Sequence, residues 1–230
     1  MTSPVPFTFA GAMAGARGVL PAALSSAAFG VAFGALAQKV GISFAETALM
    51  SAIVFAGSAQ YPAILAWSFP PAILPLALTT LAINARHLLF GAAVRPYLAP
   101  LPQGRVYLSL FFLSDSNWLA AMRAWNDGET DRAIILGGGI TMCLGWTAGS
   151  IAGHLFGTTF GDITRFGIDA AVPAFFVVLL IGAWRGRADI LPLLVGAGAA
   201  LAAERLLPPG WHVLVGSLAG ASAGMLRRAD

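Results

Sequence analysis

Long apolar segments separated by Arg, Pro and Gly run through the whole chain. A helix that crosses a membrane needs about 20 mostly apolar residues. The interruptions by Arg, Pro and Gly leave eight candidate membrane segments, at residues 19–38, 45–67, 72–94, 106–125, 133–156, 166–184, 190–203 and 211–226. The last two are shorter than a full span, and we expect one or both to be tilted, re-entrant or partly interfacial. The pattern predicts an all-α polytopic membrane protein with about seven or eight transmembrane helices.

The composition supports this prediction and excludes several classes of protein. Hydrophobic residues make up 58% of the chain and charged residues 10%, against about 25% charged in a soluble domain. No basic run is longer than Arg227-Arg228, which argues against a nucleic-acid partner. The only cysteine, Cys143, lies in an apolar segment, so neither an internal disulfide nor a Cys-based metal site is expected.

The chain also lacks the patterns of a cofactor or an enzyme site. No glycine-rich phosphate-binding loop with a lysine is present, and no nucleophile and base occur at a spacing typical of a catalytic site. We therefore predict no cofactor, no metal and no enzymatic activity. Residues 1–18 have no charge before Arg17, whereas a cleavable signal peptide begins with a positive end. We expect them to be an interfacial lead-in to a single integral-membrane domain that covers residues 1–230.

The second segment has polar and small residues at its centre. Gly57, Ser58, Gln60 and Pro62 lie where a simple span would be apolar, and a proline removes one helical hydrogen bond. In hydrocarbon, freed backbone groups are tolerated only inside protein or beside a water-filled cavity. This pattern predicts a broken helix at Gly57 and Pro62 that borders a substrate site. The alternative is close helix packing by the small residues, which leaves Gln60 unexplained.

A second group of polar residues lies in the third and fourth segments. Asn84, Arg86 and His87 follow an apolar run, and Asp115 lies near the middle of residues 106–125, close to Asn117. A charge at this depth costs about 2.5–3.5 kcal/mol and needs a partner. We predict that Arg86 is the counter-ion of Asp115. The pair either serves ion coupling or locks two helices, and His87 either shuttles protons or is a hydrogen-bonded core residue.

The later part of the chain holds weaker signals. Asp169 is close to a segment end, where we expect it to reach the membrane interface. Pro173 interrupts the sixth segment as Pro62 interrupts the second. A faint similarity between residues 34–63 and 149–174 is compatible with an internal duplication, with chance as the alternative.

The basic residues give a weak orientation under the positive-inside rule. With the N-terminus inside, the following fall in the cytoplasm: Arg17, Arg123, Arg132, Arg185, Arg187, Arg227 and Arg228. Those on the other side are Lys39, Arg95, Arg105, Arg165 and Arg205.

Several motifs resemble one known family. They are Pro21, Phe29-Gly30, Phe33-Gly34, the run from Met50-Ser51 through Phe55-Ala-Gly-Ser-Ala-Gln60, and Asn84-Ala-Arg-His-Leu-Leu89. Over roughly residues 14–124 the chain resembles the azaleucine-resistance (AzlC-type) branched-chain amino acid permeases. The resemblance implies export of branched-chain amino acids with a small, separately encoded AzlD-type membrane subunit. Where that family tends to carry Thr-Asp-Glu, this chain has Ser114-Asp115-Ser116, a departure that bears on the substrate and on ion coupling.

Together these signals predict a multi-pass secondary transporter that exports hydrophobic amino acids across the inner membrane. The candidate substrate contacts are Ser58, Gln60, Asn84 and Asn117. The candidate coupling or buried charges are Asp115, Arg86 and His87. The alternative is a membrane scaffold or channel-like subunit whose polar residues bind a partner.

Overall fold

A computed structural model describes residues 5–65, 67, 70–157, 170, 173–174, 177, 180–181, 184, 186–208 and 211–227. No strand occurs in these residues. The elements in chain order are α1 (Phe9–Lys39), α2 (Phe44–Leu49), a π-helix (Met50–Val54), α3 (Gly57–Leu65), α4 (Ile73–Asn84), α5 (Arg86–Leu98), α6 (Gln103–Phe111), α7 (Asp115–Asn126), α8 (Ala133–Phe156), a 3₁₀ turn (Arg187–Asp189), α9 (Ile190–Leu206) and α10 (Trp211–Arg227). Three stretches of the described residues are long and apolar enough to cross a membrane. They are Phe9–Lys39 (α1), Ile73–Leu98 (α4 with α5) and Ala133–Phe156 (α8). The predicted all-α membrane fold is confirmed.

The chain divides into two compact units. The first consists of Met1–Gly57 with Ala85–Ile168, and the second of Ser58–Asn84 with Asp169–Asp230. The first unit therefore contains α1, α2, the π-helix and α5 to α8. The second contains nearly all of α3, together with α4, α9 and α10.

Helices α1 and α8 form the centre of the first unit. A Cβ added at Gly15 would meet the backbone of Ile134, and one added at Gly34 would meet the backbone of Ser150. Because contact positions rise together along both helices, α1 and α8 run parallel. Small residues let the two backbones touch, which is how helices associate in lipid without a hydrophobic driving force.

One carboxylate ties together the N-terminal ends of this helix pair. Asp131 accepts hydrogen bonds from the backbone N–H and hydroxyl of Thr8, the N-cap of α1, and from the N–H of Ala133, the first residue of α8. Burial raises the pKa of Asp131, but the hydrogen bonds from Thr8 and Ala133 and the nearby Arg132 outweigh it, so the pKa is lowered overall. Residues 9–18 are helical and continuous with α1, which is therefore longer than the predicted span at residues 19–38.

The fourth predicted span is a hairpin of two short helices in the structure. Arg105, in α6, lies over the Phe7 ring at 5.0 Å. Trp125, near the end of α7, donates its indole N–H to the carbonyl of Asp131, and Pro6, next to Phe7, accepts from the N–H of the following residue, Arg132. The start of α6 and the end of α7 therefore lie at the same end of the first unit. The prediction of one continuous helix over residues 106–125 is wrong.

The hairpin also corrects the expected orientation. The sequence predicts Arg105 and Arg132 on opposite sides of the membrane, because a full span between them is expected. The contacts with Phe7 and Pro6 put both arginines at one end of the unit. At that end the Arg132 guanidinium lies 5.2 Å from the Tyr97 ring and 5.4 Å from the Trp125 ring, which stack at 4.5 Å.

The second unit is held by close packing of α9 and α10. Gly196 approaches the backbone at Gly216 and Gly220, and Gly220 approaches Pro192. Contact positions on α10 fall as those on α9 rise, so the two helices are antiparallel. Asp169 lies outside the described residues. Pro173 is helical and exposed, but residues 171–172 and 175–176 lie outside the described ranges, so a helix break there stays a prediction.

Candidate functional site

The second apolar segment is interrupted immediately before α3. A π-helix at Met50–Val54 leads into Phe55, whose φ of 42° is in the left-handed region. Such a conformation is strained for a bulky side chain, and both π-turns and strained residues cluster at functional sites. Gly57 begins α3, and a Cβ there would collide with the Trp146 ring. The interruption therefore lies at residues 55–56, while Pro62 lies inside α3.

The first turns of α3 carry buried polar residues. Ser58 and Gln60 are buried, and Gln60 has no solvent exposure. Neither the nitrogen nor the oxygen of the Gln60 amide has a hydrogen-bond partner among the described residues. Buried amides are nearly always hydrogen-bonded in folded proteins, so this one calls for an explanation. In the same unit, Asn84 is the last residue of α4. Thr79, five residues earlier, has a buried hydroxyl with no hydrogen-bond partner in the described part of the chain.

A second polar cluster lies at the tip of the α6–α7 hairpin. The guanidinium of Arg86 is 3.0 Å from the carboxylate of Asp115, which confirms the predicted pair. His87 Nε2 lies 3.2 Å from the carbonyl oxygen of Leu113. Because a carbonyl can only accept, this contact requires a hydrogen on Nε2. The first two residues of α5 therefore hold the hairpin tip by one ion pair and one hydrogen bond.

The environment of Asp115 differs from the one expected from the sequence. It is the first residue of α7 and not the centre of a continuous span. A carboxylate at a helix N-terminus is stabilised by the partial positive charge there. The Asp115 side chain is 43% exposed and that of Arg86 29% exposed. The pair is therefore accessible rather than enclosed in the core.

Asn117 fixes the backbone of the hairpin tip. Its side-chain oxygen accepts from the N–H and hydroxyl of Ser114, at 2.6 and 2.9 Å. Its side-chain nitrogen donates to the carbonyls of Phe112, at 3.0 Å, and Ile135, at 2.8 Å. A Cβ at Gly139 would collide with this arrangement. The Asn117 amide is thus directed at the protein's own backbone and at the Ser114 hydroxyl, which speaks against its predicted role as a substrate contact.

The structure brings some of the predicted site residues together. Arg86, His87, Asp115 and Asn117 surround the hairpin tip in the first unit. Ser58, Gln60 and Asn84 belong to the second unit.

Sequence reasoning missed an aromatic pair beside the ion pair. Phe90 and Trp118 stack at 4.6 Å, one helical turn beyond Arg86 and Asp115 respectively. Their spacings of four and three residues along α5 and α7 were the available signal. No group of three or more His, Cys, Asp or Glu that could hold a metal ion occurs in the part of the chain that the structure describes.

Comparison with known proteins places the chain in a family. The AzlC protein family matches residues 21–160. The branched-chain amino acid transport protein AzlC of Bacillus subtilis is 27% identical over 177 residues, which cover 75% of this chain and 68% of that protein. The inner membrane protein YgaZ of Escherichia coli is 25% identical over 245 residues, covering 99% and 96%. No solved structure matches the chain significantly.

The family match includes the segments that carry the resemblance, namely residues 29–34, 50–60 and 84–89. Together with the apolar helices, the family match and the named relatives support a role in transport across a membrane. The chain belongs to the AzlC protein family.

Proposed function

We propose that the protein is a multi-pass secondary transporter that exports branched-chain or other hydrophobic amino acids across the inner membrane, together with a small AzlD-type membrane subunit. The proposal is supported by the name of the Bacillus relative, which is a branched-chain amino acid transport protein. It is also supported by the interrupted helix with buried polar residues. Many secondary transporters form their substrate sites from broken helices of this kind.

The observation that carries the proposal is the buried amide of Gln60. A buried polar group without a hydrogen-bond partner lowers the stability of the fold by about 1–3 kcal/mol. Such a group is therefore expected where it has a function, such as binding a ligand. An amino acid offers both an acceptor and donors to such an amide. Ser58 and Asn84 are the other proposed contacts along the substrate path, and Asp115 with Arg86 and His87 is the proposed coupling group.

Efflux measurements test this function. Membrane vesicles containing the chain, alone and with the AzlD-type subunit, would be loaded with radiolabelled leucine and followed with and without a proton gradient. Gln60→Leu should slow efflux by roughly tenfold or more, because a partner of the substrate is lost. Gln103→Leu makes the same chemical change at an exposed residue and should leave efflux unchanged.

Two results would count against the proposal. If Gln60→Leu left efflux unchanged and raised the melting temperature, Gln60 would be a packing residue. If the unaltered protein moved no amino acid under any gradient, with or without the small subunit, the chain would be a scaffold or channel-like subunit instead.

A further inference from the structure

The helix that ends before the break at Phe55 runs alongside α8 and reaches its middle. Near the start of this helix, the Thr47 hydroxyl is 3.0 Å from Nδ1 of His154, close to the end of α8. Just after the break, Gly57 lies against the ring of Trp146. Trp146 is roughly 20 Å from the start of α8 and about 15 Å from its end. The break therefore lies near the middle of a helix that is long and apolar enough to cross a membrane.

The helix leaves its last carbonyl groups without helical partners at this depth. It is continuous over Phe44–Val54, and Phe55, with a φ of 42°, does not continue it. The last four carbonyls of a helix cannot be bonded within it, and no donor outside the helices is directed at the carbonyls of residues 51–54 in the described part of the chain. In hydrocarbon such groups need another partner. They also form the negative end of the helix dipole.

A buried hydroxyl without a partner lies in the same turn. Ser51 has no solvent exposure, and its Oγ has no hydrogen-bond partner among the described residues. A serine or threonine hydroxyl in a helix commonly bonds to the carbonyl four residues earlier. The hydroxyls of Thr47 and Ser150 do so, and each of these side chains is buried. Ser51 is thus an exception at the one turn where carbonyls also lack partners.

The available oxygens have the chemistry of a site for a monovalent cation. A hydroxyl and backbone carbonyls are hard, uncharged ligands, whereas protein sites for Ca²⁺ and Mg²⁺ rely on carboxylates. Glu46, the acidic residue nearest along the chain, caps the start of α2 through Ser43. Secondary transporters bind Na⁺ with carbonyls of unwound backbone and with the C-terminal ends of half-helices.

We propose that the end of the π-helix binds a monovalent metal cation of the sodium type. The Ser51 hydroxyl and the carbonyl oxygens that follow it are the ligands, and the left-handed Phe55 keeps the helix from continuing over them. One ion gives a partner to the hydroxyl and to the carbonyls together. All these groups belong to the first unit. The site does not depend on which molecule the protein carries, so the inference goes beyond the proposed function.

Thermal unfolding of the purified protein in nanodiscs tests the site. Sodium chloride and potassium chloride would each be titrated at constant ionic strength, with N-methyl-D-glucamine chloride as the replacement salt. A ligand that binds only the folded protein raises the melting temperature as its concentration passes the dissociation constant. We expect at least one of the two metal cations to do so in the unaltered protein.

Variants of Ser51 show whether the cation acts at this turn. Ser51→Ala removes one ligand and should raise the apparent dissociation constant of the cation about tenfold or more. Ser51→Cys keeps the size of the side chain but replaces the hard oxygen by a soft sulfur, so it should act in the same direction. Without metal cations both variants should unfold at or above the temperature of the unaltered protein, since the lost hydroxyl has no partner among the described residues.

Ser109→Ala is the matched control. Ser109 is also fully buried, and its hydroxyl also has no partner in the described residues. It lies near the end of α6, where the N–H groups of Phe112 and Leu113 donate to carbonyls of the last turn. Because those carbonyls are already bonded, Ser109→Ala should leave the cation dependence unchanged.

Two results would overturn the inference. One is a melting temperature that neither sodium nor potassium raises above its value in the replacement salt. The other is the same cation dependence in the unaltered protein and in both Ser51 variants, which would show that the ions act elsewhere. Neither measurement involves an amino acid, so a failure here leaves the proposed function standing, and a failure of leucine efflux leaves the cation site standing.

Discussion

Replacing Asn117 by leucine is the most direct test of how the hairpin tip is held. The substitution keeps the size of the side chain and removes all its polar atoms. The N–H and the hydroxyl of Ser114 then lose their acceptor, and the carbonyl of Phe112 loses its donor. The carbonyl of Ile135 also loses the Asn117 donor, but it lies inside α8 and keeps its helical hydrogen bond. Asn117 is only 1% exposed, so water cannot readily replace these bonds.

The expected loss follows from the number of groups left without partners. A buried polar group without its partner costs about 1–3 kcal/mol, and three neighbouring groups do not add fully because the tip can relax. We expect Asn117→Leu to lower the free energy of unfolding by about 3–5 kcal/mol. Thermal unfolding in detergent measures this, and Asn126→Leu, at an exposed position, is the control, with a loss below about 1 kcal/mol.

One result would refute the reasoning. If Asn117→Leu unfolded at the same temperature as the unaltered protein and lost leucine binding instead, its amide would serve the substrate, as the sequence first indicated. Limited proteolysis gives an independent reading, because a released tip should be cut between α6 and α7.

Three further predictions concern the first unit. Single cysteines at Gln103 and at Gly128, in a background without Cys143, should react with a membrane-impermeant maleimide from the same side of the membrane. The reason is that α6 and α7 form a hairpin, and labelling from opposite sides would support one continuous span instead. Gly34→Ala should destabilise by about 1–3 kcal/mol because its Cβ meets the backbone of α8, whereas Gly18→Ala, where nothing lies near, should be neutral or stabilising by up to about 1 kcal/mol. Folding lowers the pKa of Asp131, so its stabilising effect is complete above the ordinary pKa near 4 and is lost as the pH falls through the pKa of the folded state. Asp131→Asn should therefore flatten the acid side of a plot of melting temperature against pH. An unchanged acid side would contradict this.

The sequence predicted the helical membrane fold and one interruption because those signals are local. The length of an apolar segment can be counted along the chain without knowing which helices pack against it. The same holds for the occurrence of Gly57, Ser58 and Gln60 within one segment. The position of the break at Phe55 could not be read, since a left-handed aromatic residue is enforced by packing rather than by preference.

The hairpin was missed because residues 106–125 have the length and polarity of a single span. Two half-helices and one full helix give the same hydropathy, and only tertiary contacts such as Arg105 with Phe7 distinguish them. One signal was present: Ser114 and Asn117 have the spacing of a capping box, which marks a helix start within the segment. The start of α1 was missed in the same way, since Thr8 has the character of an N-cap and Gly11 and Gly15 continue the small-residue stripe.

The proposed coupling role of Asp115 separates a transporter from a scaffold. A channel or scaffold has no need of a coupling group, so there the Arg86–Asp115 pair would only hold the hairpin tip. A purely structural pair predicts that Asp115→Asn lowers the melting temperature and that the double change with Arg86→Gln recovers much of the loss. If Asp115 couples export to an ion gradient, Asp115→Asn should instead leave a folded protein that exchanges leucine across the vesicle membrane and no longer concentrates it against a gradient. An unstable single variant that the double change rescues would overturn the coupling role.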